Sequence, residues 1–170
     1  MKAGIINFAV YEDGSEYLGI AKVTLPDLTN KSLSVNGAGI PGDIDVPVPG
    51  HRDAMSVTIE FLDAPAAAYT LAQQRIHTLD LRAAHEDLDT TNKKMGVDAH
   101  KYILEVIPKS LKGGTLAPTA AQGVSGEYSC ISIKKFINEV CVLDYQPANF
   151  IDIDDSGVDR LKDVRTALGK

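Results

Sequence analysis

Alternating apolar and polar residues in one short stretch place the strongest constraint on how this chain folds. The stretch Ala54–Leu62 reads AMSVTIEFL, in which Met55, Val57, Ile59 and Phe61 alternate with Ser56, Thr58 and Glu60. Successive side chains of a β-strand point to opposite faces of the sheet. The pattern therefore predicts an antiparallel strand that packs one face on a core and keeps the other face polar.

Weaker alternation, bounded by Gly, Pro, Asn or Asp, predicts further strands along the chain. They are Glu16–Leu25, His77–Leu88, Lys101–Ile107, Tyr128–Ile137 and Val140–Tyr145. At least six strands and few helical segments indicate a mainly β fold. We expect a β-barrel or sandwich with one or two short α-helices.

Two segments have the residue pattern of short helices. Ala64–Arg75 is rich in alanine, with Pro65 near the first helical position after a possible cap at Asp63. The second helix covers 156–169, with Ser156 as the expected cap. Its apolar stripe consists of Val158, Leu161, Val164 and Leu168. We expect both helices to pack on the sheet without forming the core.

The chain has the length of one globular domain, and we expect residues 1–170 to form a single domain. Within it, residues 35–52 contain four glycines and three prolines and show no long periodic segment. We expect an extended loop there. A second flexible stretch covers residues 111–127. Long loops in compact domains usually carry binding or assembly.

Charge and cysteine content argue against several classes of protein. The net charge of -6 disfavours a surface that binds nucleic acid phosphates, which needs clustered Lys and Arg. No run of about 18 apolar residues is present, and the first residues are too weakly apolar for a signal peptide. We therefore expect synthesis in the cytosol and no membrane span. Cys130 and Cys141 lack metal or redox spacing and are expected to be small apolar residues.

One acidic stretch has the outline of a calcium-binding loop. Residues 152–163 read DIDDSGVDRLKD, with oxygen-bearing side chains at positions 1, 3 and 5, glycine at 6 and Asp163 at 12. However, Pro147 lies where a helix should enter the loop, and Asp159 takes the usually apolar position 8. We therefore interpret these carboxylates as the acidic N-terminus of a helix, near the positive end of its dipole. We expect no metal.

The other polar clusters do not match a catalytic motif. The sequence HED at residues 85–87 lacks the second histidine of a zinc protease motif. His51, Arg52 and Asp53 are adjacent, but no candidate nucleophile accompanies them. The glycines of NGAGIPGD lack the spacing of a nucleotide-binding loop. We expect neither enzymatic activity nor a cofactor.

Several motifs occur in an order that resembles the major tail tube protein of contractile-tailed bacteriophages. They are Asp13-Gly14, Tyr17, Gly19, TLPDLTNK at residues 24–31, the glycines of GAGIPG, the strand MSVTIEF and the ending IDIDDSGVDRLKDVRTALG. The resemblance spans nearly the whole chain. Its most specific parts are TLPDLTNK near the start and GVDRL near the end.

The resemblance implies a small β-barrel or sandwich whose strands join those of neighbouring copies into a ring-shaped inner β-barrel. Hexameric rings would stack into a hollow tube inside a contractile sheath. The implied partners are further copies of the chain, the tail sheath protein, the baseplate or tube initiator, the tail terminator, and tape-measure protein and DNA in the lumen without tight binding. The implied location is the tail of the virion, after assembly in the bacterial cytoplasm.

For this role we predict three groups of contact residues. The Gly/Pro loop would reach an adjacent subunit or ring through Gly37, Gly39, Ile40, Gly42, Val46, Pro47 and Pro49. The stripe of the C-terminal helix would pack on its own barrel or on a neighbour's through Val158, Leu161, Val164 and Leu168. Ser56, Thr58 and Glu60 are candidates for lining the lumen.

Other functions stay open at the level of sequence. The same subunit chemistry fits a phage-derived contractile bacteriocin or a type VI-like secretion system. A carbohydrate-binding sandwich is disfavoured because the chain has no tryptophan and its Gly/Pro loop has no aromatic residue. A calcium-binding β-domain or an acidic-residue hydrolase would need the sites rejected above.

Overall fold

The computed structural model describes residues 2–37, 39 and 41–170, and of residues 2 and 3 the backbone alone. The strands are β1 Lys2–Glu12, β2 Ser15–Glu16, β3 Ile20–Thr24, β4 Asn30–Val35, β5 Ile44–Arg52, β6 Met55–Phe61, β7 His77–Asp89, β8 Lys94–Lys112, β9 Ser125–Ile137, β10 Val140–Gln146 and β11 Ile151–Ile153. The helices are α1 Ala66–Leu71 and α2 Lys162–Ala167, with a 3-10 turn at Pro147–Asn149. The prediction of a mainly β chain with two short helices is confirmed.

Antiparallel pairing joins most strands into one sheet. Its order is β11-β10-β9-β8-β7-β1-β2, and β6 pairs with both β9 and β3. β10 and β6 share one edge of β9, with β10 along the last residues of β9 and β6 along the first. Among the described residues no ladder joins β3 to β1 or β2, so the sheet of a single chain does not close into a barrel. β4 and β5 form a separate two-stranded ribbon.

The strand with the clearest alternation, predicted at Ala54–Leu62, is confirmed as β6. Its residues alternate between buried and half-buried positions, and Val57 and Ile59 are fully buried. Three more predictions agree with β7, β9 and β10 to within a few residues, at His77–Leu88, Tyr128–Ile137 and Val140–Tyr145. β8 is longer than its prediction and accommodates Pro108 where its register with β9 shifts. Proline lacks the N–H that a regular ladder uses, so an irregular position is where a strand tolerates it.

The alternation pattern misses β1, β4, β5 and β11. It also predicts Glu16–Leu25 as one strand where the structure has two, β2 and β3. The break lies at Gly19, whose φ of +81° belongs to the left-handed region. β4 is exposed along its whole length, and its alternation is limited to Leu33 and Val35 after Ser32 and Ser34, which is too short to stand out.

The core lies on one face of the sheet, under α1. Residues paired across neighbouring strands lie on the same face. The buried pairs include Leu79 with Leu104, Val106 with Cys130, and Val57 with Tyr128. α1 adds Ala68 and Leu71, which are both fully buried. Each large buried side chain contributes about 1.5–3 kcal/mol, so the alternating strands determine which face of the sheet turns inward.

Helix α1 is shorter than the predicted Ala64–Arg75, and Asp63 does not cap it. Its N-cap is Pro65, with extended backbone and no side-chain hydrogen bond. The chain leaves the helix before Gln73, whose carbonyl contacts the ring of His77 at 3.1 Å. None of the helices in the described part of the chain combines the length and the apolar character needed to cross a membrane.

Helix α2 is shorter than the predicted helix 156–169, and Ser156 does not cap it. Gly157 has a φ of +75°, a left-handed conformation that a right-handed helix does not contain. Ser156 instead donates its N–H to the carboxylate of Asp154 at 3.0 Å. Asp159 forms an isolated β-bridge with β11. The residues expected in the first helical turns therefore form a turn that closes on β11.

The loop predicted at residues 35–52 is largely a strand. β5 pairs with β4, with Leu33 opposite Val46 and Val35 opposite Ile44. We call residues 30–52, as far as they are described, the hairpin. Its prolines are compatible with strand structure because the ribbon has open edges, where a missing N–H disturbs no ladder. The glycines and prolines of this segment are typical of a loop, so the sequence did not indicate the pairing of β4 with β5.

Candidate assembly surfaces

The first candidate surface is the open edge of β1. β7 pairs along one side of β1 over most of its length. On the other side, among the described residues, β2 pairs only with Tyr11 and Glu12. Earlier on this edge the Phe8 N–H donates to the side chain of Asn7 over 2.8 Å, and no strand of the described part of the chain lies beside it. An edge of this kind is a template for pairing with another chain.

β1, β7 and β8 lie side by side and form a three-stranded unit. A second open edge lies on β8, on the side of this unit opposite to the β1 edge. The ladder between β8 and β9 begins at His100 opposite Ile137, so residues 94–97 extend beyond β9 while still paired with β7. Exposed aliphatic side chains accompany both edges: Ile5 (61%) and Ile6 (58%) on β1, and Met95 (76%) and Val97 (63%) on β8. Clustered exposed apolar residues of this kind mark interaction surfaces.

An apolar groove of about 440 Å³ adjoins the β1 edge. It separates β1 from β3 and is lined by Ile5, Phe8, Val23, Leu25, Leu81 and Tyr102, among others. The groove marks the place where the sheet of a single chain fails to close. Side chains from the core side of the sheet are therefore accessible there to a neighbouring molecule.

The hairpin is the third candidate surface. Because Leu33 faces Val46 and Val35 faces Ile44, four aliphatic side chains share one face of the ribbon. We call these four residues the aliphatic face of the hairpin. Their exposed fractions are 62% for Leu33, 37% for Val35, 52% for Ile44 and 46% for Val46. A two-stranded ribbon is at best marginally stable alone, so this face is a candidate for contact with another surface.

Most residues predicted to contact a neighbour in this region lie on the hairpin. Gly37, Gly39 and Gly42 are exposed between β4 and β5, while Val46, Pro47 and Pro49 belong to β5. Ile40 lies outside the described residues. Of the six that are described, Val46 belongs to the aliphatic face, whereas Pro47 pairs with Ser32 on the opposite face. Their contact with a neighbour stays a prediction.

A buried ion pair fixes the base of the hairpin. Arg52 donates to Asp152 over 2.9 Å, and the two side chains are 6% and 3% exposed. The guanidinium lies 4.3 Å from the centre of the Tyr145 ring, whose hydroxyl donates to the Gly50 carbonyl over 3.2 Å. Gly50 has a φ of +70° and no room for a side chain, because Leu161 packs directly against it. These contacts join β5 to β10, β11 and the C-terminal segment.

The predicted lumen residues Ser56, Thr58 and Glu60 alternate with core residues of β6, so they lie on the face of the sheet away from the core. The Ser56 hydroxyl donates to Glu127 over 3.3 Å. Glu127 also pairs with Lys109 at 3.0 Å, and this hydrogen bond with its positive charge holds the pKa of Glu127 below its ordinary value. That this face lines a lumen stays a prediction.

The same polar face continues across β7, β8, β9 and β10 as a set of ion pairs and hydrogen bonds. They join Arg82 to Asp80 (2.8 Å), Lys101 to Asp80 (3.6 Å), Lys134 to Asp144 (3.4 Å) and Ser132 to Glu105 (2.9 Å). Each of these cationic side chains thus has a carboxylate beside it. The face combines positive and negative groups and does not form a single basic stripe.

The C-terminal stripe is mostly exposed in the single chain. Leu161 is 5% exposed and packs beneath the hairpin base at Gly50. Val158, Val164 and Leu168 are 59%, 41% and 56% exposed. For these three residues, packing on a neighbouring copy stays a prediction.

Three of the five aspartates of the calcium-like stretch form ion pairs within the chain. Asp152 pairs with Arg52, Asp154 with Arg160 (3.0 Å) and Asp159 with Arg165 (2.6 Å). Hydrogen bonds from Ser156 and Arg160 hold the pKa of Asp154 below its ordinary value. Within the described ranges, no three His, Cys, Asp or Glu side chains group in a way that could hold a metal ion.

The remaining polar candidates from the sequence are the HED residues 85–87 and the HRD residues 51–53. The ring of His85 stacks on that of His100, with 3.9 Å between centroids. His51 and Asp53 are exposed, while Arg52 between them turns inward to Asp152. The sequence HRD therefore does not converge on one site.

A buried polar cluster, which the sequence did not predict, ties β1 to the segment after α1. Glu12 is 5% exposed, accepts a short hydrogen bond from Tyr17, and lies 2.8 Å from the His77 ring and 2.9 Å from Arg75. Burial raises the pKa of Glu12, but the hydrogen bonds with Tyr17 and His77 outweigh it and lower the pKa below its ordinary value. Because Glu12 and His77 are 65 residues apart, no local motif reveals the cluster.

Comparison with protein families and solved structures supplies independent evidence. The model of the family described as phage tail tube protein FII matches residues 2–169. No curated protein matches the chain.

Two solved structures share the fold. One is the cryo-EM structure of a sheath/tube terminator of an extracellular contractile injection system, PVC, in the extended state. It has 8% identity and a TM-score of 0.56, covering 77% of this chain and 94% of that chain. The other is the PVC sheath-tube complex in the extended state, with 10% identity and a TM-score of 0.53, covering 76% of this chain and 88% of that chain. At these identities the likeness shows the fold alone.

Proposed function

The chain belongs to the family of phage tail tube protein FII, and we propose that its copies form hexameric rings that stack into the inner tube of a contractile tail. Tape-measure protein and DNA pass through the lumen of this tube without tight binding. A contractile sheath encloses the tube, a baseplate or tube initiator starts it, and a terminator protein ends it. The subunit is assembled in the host cytoplasm and remains in the tail of the virion.

The pair of open strand edges is the observation that carries this proposal. β1 and residues 94–97 of β8 bound opposite sides of one three-stranded unit. When β1 of one copy pairs with residues 94–97 of the next, both edges gain hydrogen-bond partners. A contact between two different surfaces of the same chain repeats around an axis, and it closes a ring when the rotation from copy to copy completes a full turn. The result is a continuous inner β-barrel built from many copies.

Apolar surface at the two edges supplies free energy for this contact. Ile5 and Ile6 accompany one edge, and Met95 and Val97 accompany the other. The groove between β1 and β3 offers a further apolar surface to the incoming copy. Burial of each large aliphatic side chain contributes about 1.5–3 kcal/mol.

The polar face of the sheet suits the wall of a conduit. Ser56, Thr58 and Glu60 lie on this face, and we assign them to the lumen. Lysines on the same face, such as Lys109, already pair with carboxylates. Affinity for DNA comes from cations that neutralise phosphates, so a wall of paired charges and a net charge of -6 favour free passage.

Contacts between rings and with the outside of the tube involve the projecting segments. The hairpin reaches the adjacent ring and brings Val46 to it on the aliphatic face. Val158, Val164 and Leu168, which are exposed in the single chain, pack on a neighbouring copy. The fold is shared with a component of a sheath-tube complex, which supports the sheath protein as a partner of the tube.

A contractile particle without a genome is the second candidate. The solved structures that share the fold belong to an extracellular contractile injection system. The chain would then be the tube subunit of a phage-derived bacteriocin or of a type VI-like secretion system. DNA extracted from purified particles after nuclease treatment distinguishes a phage tail on a filled capsid from a particle of tube and sheath alone.

The proposal is tested with the purified chain. Size-exclusion chromatography followed by negative-stain microscopy should show rings with a central channel or tubes of stacked rings. A protein that stays monomeric over a wide range of concentration, without rings or tubes, would contradict the proposed function.

A further inference from the structure

The chain contains one Asn-Gly pair, at Asn36 and Gly37 in the hairpin. The pair directly follows β4, whose last residue Val35 lies opposite Ile44 of β5. Asn36 and Gly37 are both exposed and lie outside the strands. The side-chain amide of an asparagine and the backbone nitrogen of the next residue can react with each other, because their bonding closes a succinimide ring.

A structural role in a tight turn does not account for this pair. Asn-Gly is the preferred sequence of a two-residue type I′ hairpin turn, in which both residues have a positive φ. Residues 36–43 separate β4 from β5, so the connection is longer than such a turn. Neither Asn36 nor Gly37, both of which the structure describes, has a positive φ. The backbone of the pair is therefore not held in the conformation of that turn.

Gly37 leaves space for the side chain of Asn36 to approach its backbone nitrogen. In the described part of the molecule, no atom beyond its chain neighbours lies within 4 Å of the position that a Cβ of Gly37 would take. Glycine also has the greatest backbone freedom of all residues. An intramolecular reaction is fast when the two reacting atoms can reach the attack geometry. Open space and a flexible backbone both favour that geometry here.

The other five asparagines of the chain are less suited to the same reaction. Each of them precedes Phe, Lys or Glu, whose side chain crowds the backbone nitrogen that has to attack. Three of them, Asn92, Asn138 and Asn149, also donate their side-chain amides to neighbouring side chains. A hydrogen bond of this kind has to break before the amide can react. Among the described residues, no hydrogen bond holds the side chain of Asn36.

We propose that Asn36 is a site of spontaneous deamidation. The backbone nitrogen of Gly37 loses its proton and attacks the side-chain carbonyl carbon of Asn36. The new C–N bond closes a succinimide, and the bond from that carbon to the side-chain nitrogen breaks, so that ammonia leaves with the proton. Water then adds to either imide carbonyl and opens the ring to aspartate or isoaspartate. The reaction takes up a water molecule, releases ammonia and requires no oxidant.

The product changes the hairpin in charge and in backbone length. It adds a negative charge near the loop end of β5, where Asp43 and Asp45 already lie, so that like charges repel. Isoaspartate also inserts an extra backbone carbon directly after Val35, the last paired residue of β4. This inference concerns the single chain and does not depend on the proposed tube function.

The test follows the purified chain during incubation at mildly alkaline pH, where loss of the backbone proton is favoured. Peptide mass spectrometry measures the amide at Asn36, with the peptides that contain Asn92 and Asn149 as internal references. The matched control is Gly37→Ala, because its methyl group enters open space and the native φ does not require glycine. Chromatography of the peptides against synthetic standards separates aspartate from isoaspartate.

We expect the Asn36 peptide to convert to a mixture of aspartate and isoaspartate several times faster than the peptides of Asn92 and Asn149. The conversion should slow severalfold in Gly37→Ala. An Asn36 amide that lasts as long as the two reference amides would overturn the site. Equal rates in Gly37→Ala and the unmodified chain, or a product that contains aspartate alone, would overturn the attack by the Gly37 nitrogen.

Discussion

Arg52 and Asp152 form an ion pair of 2.9 Å in which both side chains are almost fully buried. The two residues are 100 positions apart, so a single contact ties the base of the hairpin to the C-terminal segment. The direction in which the hairpin leaves the body depends on this contact and on the ring of Tyr145 beneath the guanidinium.

We expect Asp152→Ala to lower the free energy of unfolding by about 3–5 kcal/mol, because it leaves the buried charge of Arg52 without a partner. Asp154→Ala removes the pair with Arg160, which is partly exposed, and should have little effect. Urea denaturation followed by circular dichroism measures both variants. Similar small losses in the two variants would show that the buried pair does not stabilise the hairpin base.

The carboxylate of Glu12 should make stability depend on pH. Its pKa is lower in the folded chain than in the unfolded chain, because hydrogen bonds with Tyr17 and His77 outweigh the effect of burial. The resulting stabilisation is complete above the ordinary pKa of a glutamate and is lost as the pH falls through the lowered value. At neutral pH, Glu12→Gln should lower the free energy of unfolding by about 1–3 kcal/mol.

The difference between the unmodified chain and Glu12→Gln should shrink as the pH falls into the acid range. Thermal unfolding at several pH values gives the comparison. Glu127→Gln is the control, since Glu127 also has a lowered pKa but lies on the exposed polar face beside Lys109. A pH-independent difference for Glu12→Gln would contradict the ionised carboxylate in the cluster.

The part of the fold that the sequence predicts is the part whose residues are buried on one face. Val57 and Ile59 alternate with polar residues because the core accepts one face of β6 and excludes the other. The same rule identifies β7, β9 and β10. It misses β4, which is exposed on both faces and alternates only over Ser32 to Val35. The Ser156 cap, which was predicted from residue type, is wrong because Gly157 adopts a left-handed backbone.

The candidate surfaces depend on relations that sequence patterns do not contain. Val46 is recognisable in the sequence as part of a Gly/Pro-rich segment, but its pairing with Leu33 is set by the register of the hairpin. The pair of Glu12 and His77 requires that β1 and β7 already lie side by side. Long-range contacts of this kind follow from the topology of the sheet.

Pairing between open strand edges should be sensitive to charge. We expect Val97→Lys to abolish rings and tubes while leaving the free energy of unfolding nearly unchanged, because Val97 is 63% exposed in the single chain. Leu116→Lys is the matched control: Leu116 is 86% exposed and lies outside the strands. Negative-stain microscopy and size-exclusion chromatography give the readout. Normal tubes from Val97→Lys would exclude this edge as the ring contact.

Calcium should not bind specifically to residues 152–163. The carboxylates of Asp152, Asp154 and Asp159 each pair with an arginine, and a cation would have to displace these partners. Isothermal titration calorimetry of the purified chain should show no saturable heat at millimolar calcium, a range typical of weak extracellular sites at about 10⁻⁴–10⁻³ M. A stoichiometric binding curve that Asp154→Ala abolishes would overturn this interpretation of the acidic stretch.

The C-terminal stripe should separate into one residue needed for folding and others needed only for assembly. Leu161 is buried against the hairpin base, so Leu161→Asp should lower the free energy of unfolding by about 2–5 kcal/mol through the lost side chain. Val164 is 41% exposed, so Val164→Asp should fold like the unmodified chain and still form fewer or shorter tubes. Urea denaturation measures the first effect, and sedimentation of tubes with microscopy measures the second. Tubes of normal length and yield from Val164→Asp would show that this exposed position contacts no neighbouring copy.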